Sequence, residues 1–523
     1  MKNRKLSRVT PITLVTVLAL PAWIAAQEPP AKQQEENNHH RYRLVDLGTF
    51  GGPGSGFFES QRLFTRSGIL VGSADTNISD PYAPNCFNPD CLIEHGFEWR
   101  NGIMTDLGAL LGVNNSAAQS LNDHGLIVGN SENGLIDPLL NIPATDAVAW
   151  SNGEIFNLGT LGGYQGGALA VNESSQATGV ATNTIPDQYS FFGGTQSRAF
   201  LWEDGTMKDL GTLGGPDAFG QFINDGGQVA GFSYTSSIPG PSGFPPFDPF
   251  VWDKDMGMRD LGNFGGTQCN PFYLNNRGEL VGSMNLSGDQ SAHPFLWNGK
   301  KLIDLGTFGG SFGQANWVNE AGDVVGFANF SDEVTFHAAS WRKGKKIKDL
   351  GTVGSDNCSA AWDINANGQI VGLSFAEKGL CIYPSSTITA QRAVLWEDGS
   401  VIDLNTRIDP DSGLQLVLAL EINDRGEIAG FGVPPGVQLK DFEFHGHAFV
   451  LIPCDDEHGD HEGCGDAADM PTAARSVPFA QSSTTPAQSS RTASEMQSRI
   501  QTRFGLSRGF RAWQREYRLQ TPR

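Results

Sequence analysis

The stretch AFLWEDGTMKDLGTLGG, residues 199–215, contains the pattern that decides the fold. An apolar run ending in Trp202 is followed by a short turn at Gly205 and then by Asp-Leu-Gly. Asp-Leu-Gly, or a close copy of it, recurs at intervals of 44 to 60 residues. Its eight copies begin at Asp46, Asp106, Asn157, Asp209, Asp260, Asp304, Asp349 and Asp403. A period of this length is typical of repeat architectures, so residues 42–453 are interpreted as copies of one unit.

A second motif, Asn-x-x-Gly followed by a β-branched pair and another Gly, lies between these copies, as in LNDHGLIVG at 121–129. Short runs of Val, Ile, Phe and Trp between such turns are strand signals. Asn and Gly tolerate the left-handed backbone that tight turns require, which explains their recurrence without any chemistry. No sustained helical period occurs within 42–453, so each unit is predicted to consist of four short strands.

The phase of the repeat predicts how its two ends meet. The chain enters at Tyr42 in the fourth strand of a unit and leaves near Leu451 in a third strand. Pairing residues 42–47 with the strand around 447–452 would complete an eighth unit and remove two open sheet edges. We therefore predict an all-β fold, an eight-bladed β-propeller with four strands per blade, closed by the N-terminal strand. An open β-solenoid, and seven blades with one irregular unit, are the alternatives.

Three motifs in a fixed order together resemble the HAF repeat family of bacterial extracellular repeats. They are the His/Pro-Ala-Phe-Leu-Trp run, Asp-Leu-Gly-Thr-Leu-Gly-Gly and Asn-x-x-Gly-x-Val-Val-Gly, and they cover about 410 of the 523 residues. The resemblance implies an extracellular location and a propeller-like fold, and it supplies no site to transfer. Departures from the family pattern are Thr65 in place of the first Asn, Ser175 in place of the third turn Gly, and a last unit without its Trp.

The N-terminus differs from the repeats. Basic residues and then an apolar run from Ile12 to Ile24 are typical of a secretory signal peptide, predicted at 1–26, with an uncleaved anchor as the alternative. Residues 27–41 are predicted to be a flexible segment. After signal removal no transmembrane segment is expected, and the protein is predicted to be secreted, either extracellular or periplasmic.

The C-terminus also differs. An acidic Cys/His loop at 454–466 precedes a disordered Ala/Ser/Thr/Pro-rich linker at 467–490. The tail at 491–523 is basic, and the spacing of its apolar residues predicts a short helix. His458 and His461 in the acidic loop are weak metal candidates, and a solvated loop is the preferred interpretation.

Seven cysteines fit an oxidising compartment. Local pairing would join Cys86 with Cys91, Cys358 with Cys381, and Cys454 with Cys464. Cys269 would then remain, and this odd residue leaves a different pairing open. The net charge of −21 argues against a nucleic-acid partner, whose phosphates need a basic surface.

The candidate binding residues are aromatic side chains on the long connections between second and third strands. They are Tyr82, Phe87, Tyr189, Phe191, Phe192, Tyr234, Phe244, Phe247 and Tyr383. Exposed aromatics are costly unless they pack or bind a partner, so the alternative is that these loops pack on one another. The Asp-Leu-Gly aspartates are expected to accept hydrogen bonds from turn amides, and the repeat tryptophans are expected to be core residues.

No catalytic nucleophile or phosphate-binding motif is present. We therefore predict a secreted, non-enzymatic binding or scaffold propeller, without a cofactor, which recognises an extracellular protein or glycan through these loops and is expected to be a monomer. The alternative is a secreted propeller enzyme, a polysaccharide lyase or glycoside hydrolase, with a carboxylate-based site on the same face. Such an enzyme should bring carboxylates from different blades together with His, Tyr or Arg.

Overall fold

The computed structural model describes residues 41–454 with short gaps at 58–61, 84–85, 87–90, 113, 192–193, 241–242, 343–344, 379–380, 382–387 and 440–444. The predicted signal peptide, nearly all of the N-terminal segment, the linker and the basic tail lie outside the described residues, as do His458 and His461.

The described residues form thirty-two β-strands and a 3₁₀ turn at Leu404–Thr406. The strands are β1 (Tyr42–Asp46), β2 (Gly51–Gly56), β3 (Leu70–Ser79), β4 (Leu92–Arg100), β5 (Ile103–Asp106), β6 (Ser116–Leu121), β7 (Ile127–Asp137), β8 (Ile142–Ser151), β9 (Glu154–Gly159), β10 (Gly166–Val171), β11 (Ala177–Asp187), β12 (Gly194–Glu203), β13 (Thr206–Asp209), β14 (Ala218–Ile223), β15 (Val229–Tyr234), β16 (Phe247–Asp253), β17 (Gly257–Asp260), β18 (Gly265–Leu274), β19 (Leu280–Leu286), β20 (Ala292–Trp297), β21 (Leu302–Asp304), β22 (Gly309–Val318), β23 (Val324–Phe330), β24 (Phe336–Trp341), β25 (Lys348–Asp349), β26 (Cys358–Ile364), β27 (Ile370–Glu377), β28 (Ile388–Glu397), β29 (Ser400–Asp403), β30 (Gln415–Ile422), β31 (Ile428–Val433) and β32 (His447–Pro453).

These strands make antiparallel four-stranded units, as the sequence period predicts. We number the units in chain order: unit 1 is β2–β5, unit 2 is β6–β9, unit 3 is β10–β13, unit 4 is β14–β17, unit 5 is β18–β21, unit 6 is β22–β25, unit 7 is β26–β29, and unit 8 is β30–β32 with β1. Units 5 and 6 are joined into one sheet by a bridge between Ala292 and Phe312. Each unit contacts the next one along the chain.

Unit 8 combines the two ends of the repeat region. β1 pairs antiparallel with β32 over five residue pairs, from Tyr42 opposite Pro453 to Asp46 opposite Phe449. The predicted pairing of the N-terminal strand with the last strand is therefore present. β2 of unit 1 also contacts β32, and Ser55 N–H donates to the carbonyl of Gly446 at 3.0 Å.

The turn asparagines connect neighbouring units. In unit 2, Asn122 Oδ1 accepts from the amides of His124 and Leu126, which fixes the turn. Its Nδ2 donates to the carbonyl of Asn172, the equivalent residue of unit 3, at 3.0 Å. The same donor–acceptor step is made by Asn172, Asn224, Asn275, Asn319 and Asn365 toward the next unit. We call this series the asparagine chain.

The two turns that depart from the repeat pattern keep the turn geometry. Thr65 replaces Asn in unit 1, and its Oγ1 accepts from the amide of Ile69 at 2.9 Å. Ser175 replaces the turn Gly in unit 3 and adopts a φ of 60°, the left-handed backbone that the turn requires. Both substitutions therefore leave the unit intact.

The apolar side chains lie between successive units. Trp150 of unit 2, for example, packs with Val71 of unit 1 and with Leu121. Six of the seven repeat tryptophans are buried and Trp202 is half-buried, which confirms that they are core residues. Burying such large aromatic side chains is a dominant stabilising contribution in a domain of short strands.

Two of the predicted long second-to-third loops are largely strand, and two others are strand at both ends. β7 and β8 continue to pair beyond Glu132 and Thr145, with Asp137 opposite Ile142. β11 and β12 also pair beyond a register shift, as far as Asp187 opposite Gly194. β3 with β4, and β27 with β28, extend their pairing over a shorter part of the connection. The sequence analysis assigned these segments to long loops. Antiparallel pairing extends through them because its hydrogen bonds come from the backbone and need no run of apolar side chains.

Candidate functional site

The Asp-Leu-Gly aspartates have a structural role. Asp106 Oδ1 accepts from the amide of Gly108 at 2.7 Å, and its carboxylate lies 2.9 Å from His95 Nδ1. Burial opposes ionisation of Asp106, but the hydrogen bonds from His95 and Gly108 outweigh it and lower its pKa. Asp304 and Asp349 are bound in the same way. The repeated aspartates thus accept hydrogen bonds from turn amides, as predicted.

The predicted binding aromatics are mostly packed together. Tyr234 is fully buried and Phe191 is 8% exposed, and their ring centroids lie 4.4 Å apart. Phe247 and Phe232 join them, half-buried, and Phe219 completes the cluster. We call these five residues the aromatic cluster. The expectation that Phe191, Tyr234 and Phe247 are exposed at loop tips is wrong, because Phe219 and Phe232 on the strands of unit 4 provide an apolar surface that covers them.

The remaining predicted aromatics divide into two groups. Tyr82, Tyr189 and Phe244 are half-buried and do not converge with one another through any described contact. The Tyr189 carbonyl accepts from the hydroxyl of Tyr234 at 2.9 Å, which ties its loop to the aromatic cluster. Phe87, Phe192 and Tyr383 lie outside the described residues.

Seven first strands share a β-bulge, and the residue after it distinguishes the units. The register shifts directly before the turn motif in β6, β10, β14, β18, β22, β26 and β30. The residues after the shift, two before each turn Asn, are Ser120, Ala170, Phe222, Tyr273, Trp317, Asp363 and Glu421. We call this the post-bulge position. Bulges re-aim side chains and are enriched at functional sites.

Neighbouring units place different chemistry at this position. Tyr273 of unit 5 stacks on Trp317 of unit 6 with ring centroids 3.5 Å apart and planes 20° apart. Both rings are half-buried. Burial raises the pKa of Tyr273, and the negative charges of Asp363, Glu320 and Glu421 raise it further. This coupling brings residues of units 5, 6, 7 and 8 into one electrostatic neighbourhood.

The two acidic post-bulge residues bind backbone amides of the next unit. Asp363 is buried and accepts from Ile422 N–H of unit 8 at 2.8 Å. Burial, followed by the charge of Glu421, raises the pKa of Asp363 well above its ordinary value. Glu421 is 7% exposed and accepts from Leu63 N–H of unit 1 at 2.8 Å. Burial raises its pKa to about 7, although the amides of unit 1 and Arg62 act in the opposite direction.

Arg62 is the cation of this neighbourhood. It forms ion pairs with Asp123 of unit 2, at 3.0 Å, and with Glu173 of unit 3. Its positive charge is therefore already opposed by two carboxylates. Nearby, buried Gln119 Nε2 and Ser120 Oγ of unit 2 have no hydrogen-bond partner among the described residues. Buried polar atoms of this kind are satisfied by water or by a ligand.

We call Arg62, Tyr273, Trp317, Asp363 and Glu421 the post-bulge cluster. The cluster contains an aromatic pair, two buried carboxyl groups and a guanidinium, contributed by five units. Sequence reasoning missed it, although one signal was present. The residue two before the turn Asn is small in units 2 and 3, aromatic in units 4 to 6 and acidic in units 7 and 8.

Two predicted disulfides, Cys86–Cys91 and Cys358–Cys381, are present. Cys454 is disulfide-bonded, and its predicted partner Cys464 lies outside the described residues. Cys269 is a buried thiol. In the part of the chain that the structure describes, no group of three or more His, Cys, Asp or Glu could hold a metal ion, and no helix is long and apolar enough to cross a bilayer.

Comparison with known proteins gives likenesses of fold at low identity. No family model matches the chain, and no curated protein matches its sequence. A gluconolactonase of Xanthomonas campestris is 9% identical with a TM-score of 0.26, over 65% of this chain and 90% of that protein. TolB of Acinetobacter baumannii is 11% identical with a TM-score of 0.29, over 74% and 79%. A fungal alcohol oxidase of the AA5 family is 11% identical with a TM-score of 0.35, over 79% and 76%. Likenesses at this level carry no argument about function.

Proposed function

We propose that the protein is an exported, eight-bladed β-propeller of the HAF-repeat type, closed at unit 8, which binds an extracellular ligand at the post-bulge cluster. The observation that carries the proposed site is the stack of Tyr273 on Trp317 beside the carboxyl groups of Asp363 and Glu421. In a repeat protein, the packing of the units requires the same residue types in every copy. A position at which the copies differ is therefore one where packing does not determine the residue type, and such a position is a candidate for ligand binding. The two disulfides fit export to an oxidising compartment.

Contacts at the junction of units 8 and 1 support closure. The amide of Ala448 donates to Ser55 Oγ at 3.0 Å, as the amide of Gly96 donates to Ser116 Oγ at 3.1 Å between units 1 and 2. A junction that repeats the ordinary contact between neighbours is expected of a closed structure in which unit 8 precedes unit 1.

The turn glycines give a second, independent support. The space beside Gly278 is occupied by the side chain of Gln228 from the preceding unit. The space beside Gly68 of unit 1 is occupied in the same way by the carboxylate of Glu427 from unit 8. The turn of unit 1 therefore receives a side chain from unit 8 in the way that the turn of unit 5 receives one from unit 4.

The charges of the cluster indicate the class of ligand. Asp123 and Glu173 oppose the charge of Arg62, and Glu320 and the partly ionised Glu421 add negative charge near Tyr273. An anionic ligand would meet a negative field, so we favour a neutral or cationic one. Aromatic faces suit sugar rings and ammonium groups, and buried amides and hydroxyls suit hydrogen-bonding ligands. A neutral glycan or an amine-bearing ligand fits both features.

Binding can be tested on a glycan and peptide array with the purified mature protein. Trp317→Ala and Asp363→Asn are then compared with the parent for any ligand found. Loss of at least about tenfold in affinity is expected, since buried aromatic anchors carry most of a binding energy. Phe308→Ala is the matched control, because Phe308 stacks half-buried on Phe330 outside the post-bulge cluster. Equal loss in the control, or none in Trp317→Ala, would argue against this site.

A glycoside hydrolase is the second candidate, and the pair Asp363 and Glu421 is the observation that favours it. Two buried carboxyl groups lie on neighbouring first strands, and the raised pKa of Glu421, about 7, leaves it partly protonated near neutral pH. A proton donor and a carboxylate are what glycoside hydrolysis requires. Their bonds to backbone amides favour a structural role instead. Release of reducing ends from neutral polysaccharides by the parent, lost in Glu421→Gln, would decide for the enzyme.

A further inference from the structure

Three consecutive units carry the same contact between the end of a second strand and the start of the next unit. An aspartate stands at the end of the second strand, at Asp80, Asp137 and Asp187. Its partner stands directly before the first strand of the following unit, at Asn115, Gln165 and Asp217. These three pairs are equivalent by their place in the repeat, so they can be compared directly.

The first two pairs are amide–carboxylate hydrogen bonds. Asn115 Nδ2 donates to Asp80 Oδ2 at 2.9 Å, and Gln165 Nε2 donates to Asp137 Oδ2 at 3.3 Å. In the third pair the amide is replaced by the carboxyl group of Asp217, which lies within hydrogen-bonding reach of the carboxyl group of Asp187. Two ionised carboxylates cannot hydrogen-bond to each other, so this pair needs a proton that the other two do not.

The two carboxyl groups of the third pair hold one segment of chain. Asp217 Oδ2 accepts from Phe191 N–H at 2.8 Å, and its Oδ1 accepts from Ser197 N–H at 2.9 Å. Asp187 Oδ1 accepts from Tyr189 N–H at 3.0 Å. Asp187 Oδ2 is buried and receives no N–H or O–H donor in the described residues. A proton shared with Asp217 would give this oxygen a hydrogen bond, since each of the other three carboxyl oxygens of the pair already accepts one from a backbone amide.

We propose that Asp187 and Asp217 share one proton and form a pH-dependent clasp, which holds the segment 188–191 closed when protonated and releases it when the proton leaves. Release would withdraw Phe191 from the aromatic cluster, where its ring lies 5.0 Å from Phe232 and 4.4 Å from Tyr234. The clasp is thus a switch that exposes apolar surface in alkaline medium.

The environment of the pair supports this assignment. Burial raises the pKa of Asp217 to about 8, the charge of Asp187 acts in the same direction, and the amides of Phe191 and Ser197 oppose the shift. Among the groups nearby, Arg198 is bound to Asp209 and to the carbonyl of Pro216. The hydroxyl of Tyr234 is bound to the carbonyl of Tyr189.

The direction of the pH dependence follows from the raised pKa of Asp217. A carboxyl group whose pKa is raised on folding stabilises the folded state at low pH, and this contribution is lost as the pH rises through the folded pKa. The clasp is therefore closed in mildly acidic medium and opens as the pH passes about 8.

Asp187→Asn tests the clasp most directly. The new side chain keeps an oxygen for Tyr189 N–H and supplies an N–H donor to Asp217, so that no proton is needed. Hydrogen exchange over the segment 188–199 is followed at about pH 6 and about pH 9, corrected for the intrinsic exchange rate. In the parent we expect about tenfold less protection at the higher pH, since one pH unit above a pKa leaves about a tenth of the group protonated. Asp187→Asn should be protected at both.

Asp137→Asn is the matched control in the preceding unit. There the amide of Gln165 already supplies the donor, so this variant should leave the pH dependence of segment 188–199 as it is in the parent. If the parent shows no pH-dependent loss of protection, or if Asp187→Asn loses protection as the parent does, the clasp is refuted. Should Asp187→Asn not fold, the parent and Asp137→Asn decide by the same readout: both must lose protection over the segment 188–199 between about pH 6 and about pH 9, and protection that does not change with pH in either refutes the clasp.

Discussion

His447 Nδ1 lies 2.9 Å from a carboxylate oxygen of Asp46, although 401 residues separate them in the chain. The same pair forms within single units, between His293 and Asp304 and between His337 and Asp349. The first Asp-Leu-Gly therefore completes the last unit. A contact that is local in units 5 and 6 here joins the two ends of the repeat region.

Removal of β1 tests the contribution of this junction. Deleting residues 42–46 should leave β32 with an open edge and remove the burial of Tyr42 in a core cluster with Leu451. We expect a loss of several kcal/mol in the free energy of unfolding and increased aggregation, because an unpaired strand edge recruits other chains. Thermal melting and light scattering measure both. A protein that begins at residue 41 is the control, and equal melting of the two would contradict closure.

Glu421 predicts a pH dependence of stability. Burial raises its folded pKa to about 7, so its stabilising contribution is complete below about pH 4 and lost as the pH rises through 7. The upper limit of this loss is about 3 kcal/mol, from about 1.4 kcal/mol per unit of pKa. Glu421→Gln should be less stable than the parent at acidic pH, because one of the amides of Leu63 and Phe64 loses its acceptor.

The difference between Glu421→Gln and the parent should narrow toward about pH 8, as the parent loses its contribution. Chemical denaturation at several pH values measures it. The exposed Glu154, replaced by Gln, is the control and should show no such trend. A constant difference across the pH range would mean that folding does not shift the pKa of Glu421.

Asp304 predicts the opposite dependence. Burial opposes its ionisation, but the hydrogen bonds from His293 and Gly306 outweigh this and lower its pKa, so its contribution is lost only as the pH falls through the folded pKa. Asp304→Asn keeps an acceptor for the Gly306 amide, and Asn157 occupies this position naturally in unit 2. We expect a cost below about 1 kcal/mol, since the pair is partly exposed, and about 1 kcal/mol more for Asp304→Ala. Comparable melting of the two variants would show that the turn hydrogen bond contributes nothing.

Cys269 predicts a thiol hidden from solvent. Its side chain is 1% exposed, and burial raises its pKa well above the ordinary value, so the reactive thiolate is suppressed. Native protein, unreduced, should resist thiol reagents, and denatured unreduced protein should label at one cysteine. Peptide mapping identifies the site. Labelling of Cys86, Cys91, Cys358 or Cys381 without reductant would contradict the two disulfides of the structure.

The four-stranded unit could be predicted because local spacing determines it. Asn122, Gly125 and their equivalents fix a turn within five residues, and the cysteine pairs lie close together along the chain. The pairing of β1 with β32 followed from the phase of the same repeat. These features depend on short-range geometry, which a sequence displays directly.

The post-bulge cluster could not be predicted because it depends on convergence between units. Tyr273 and Trp317 are separated by a full unit, and only the register shift in each first strand sets them side by side. The prediction that the loop aromatics are exposed was wrong for a related reason. Phe191 follows a polar stretch of the sequence, but its ring packs against Phe219 and Phe232 of the next unit.

The meeting of the two ends of the repeat region has an engineering consequence. Cys454 N–H donates to the carbonyl of Arg41 at 2.9 Å, so entry and exit of the repeat region are adjacent. A short peptide could therefore join them, and new termini could be opened at an exposed turn such as Asn152-Gly153. The fold would then not depend on which unit is synthesised first. Circular permutants that begin at any unit should form the same set of contacts.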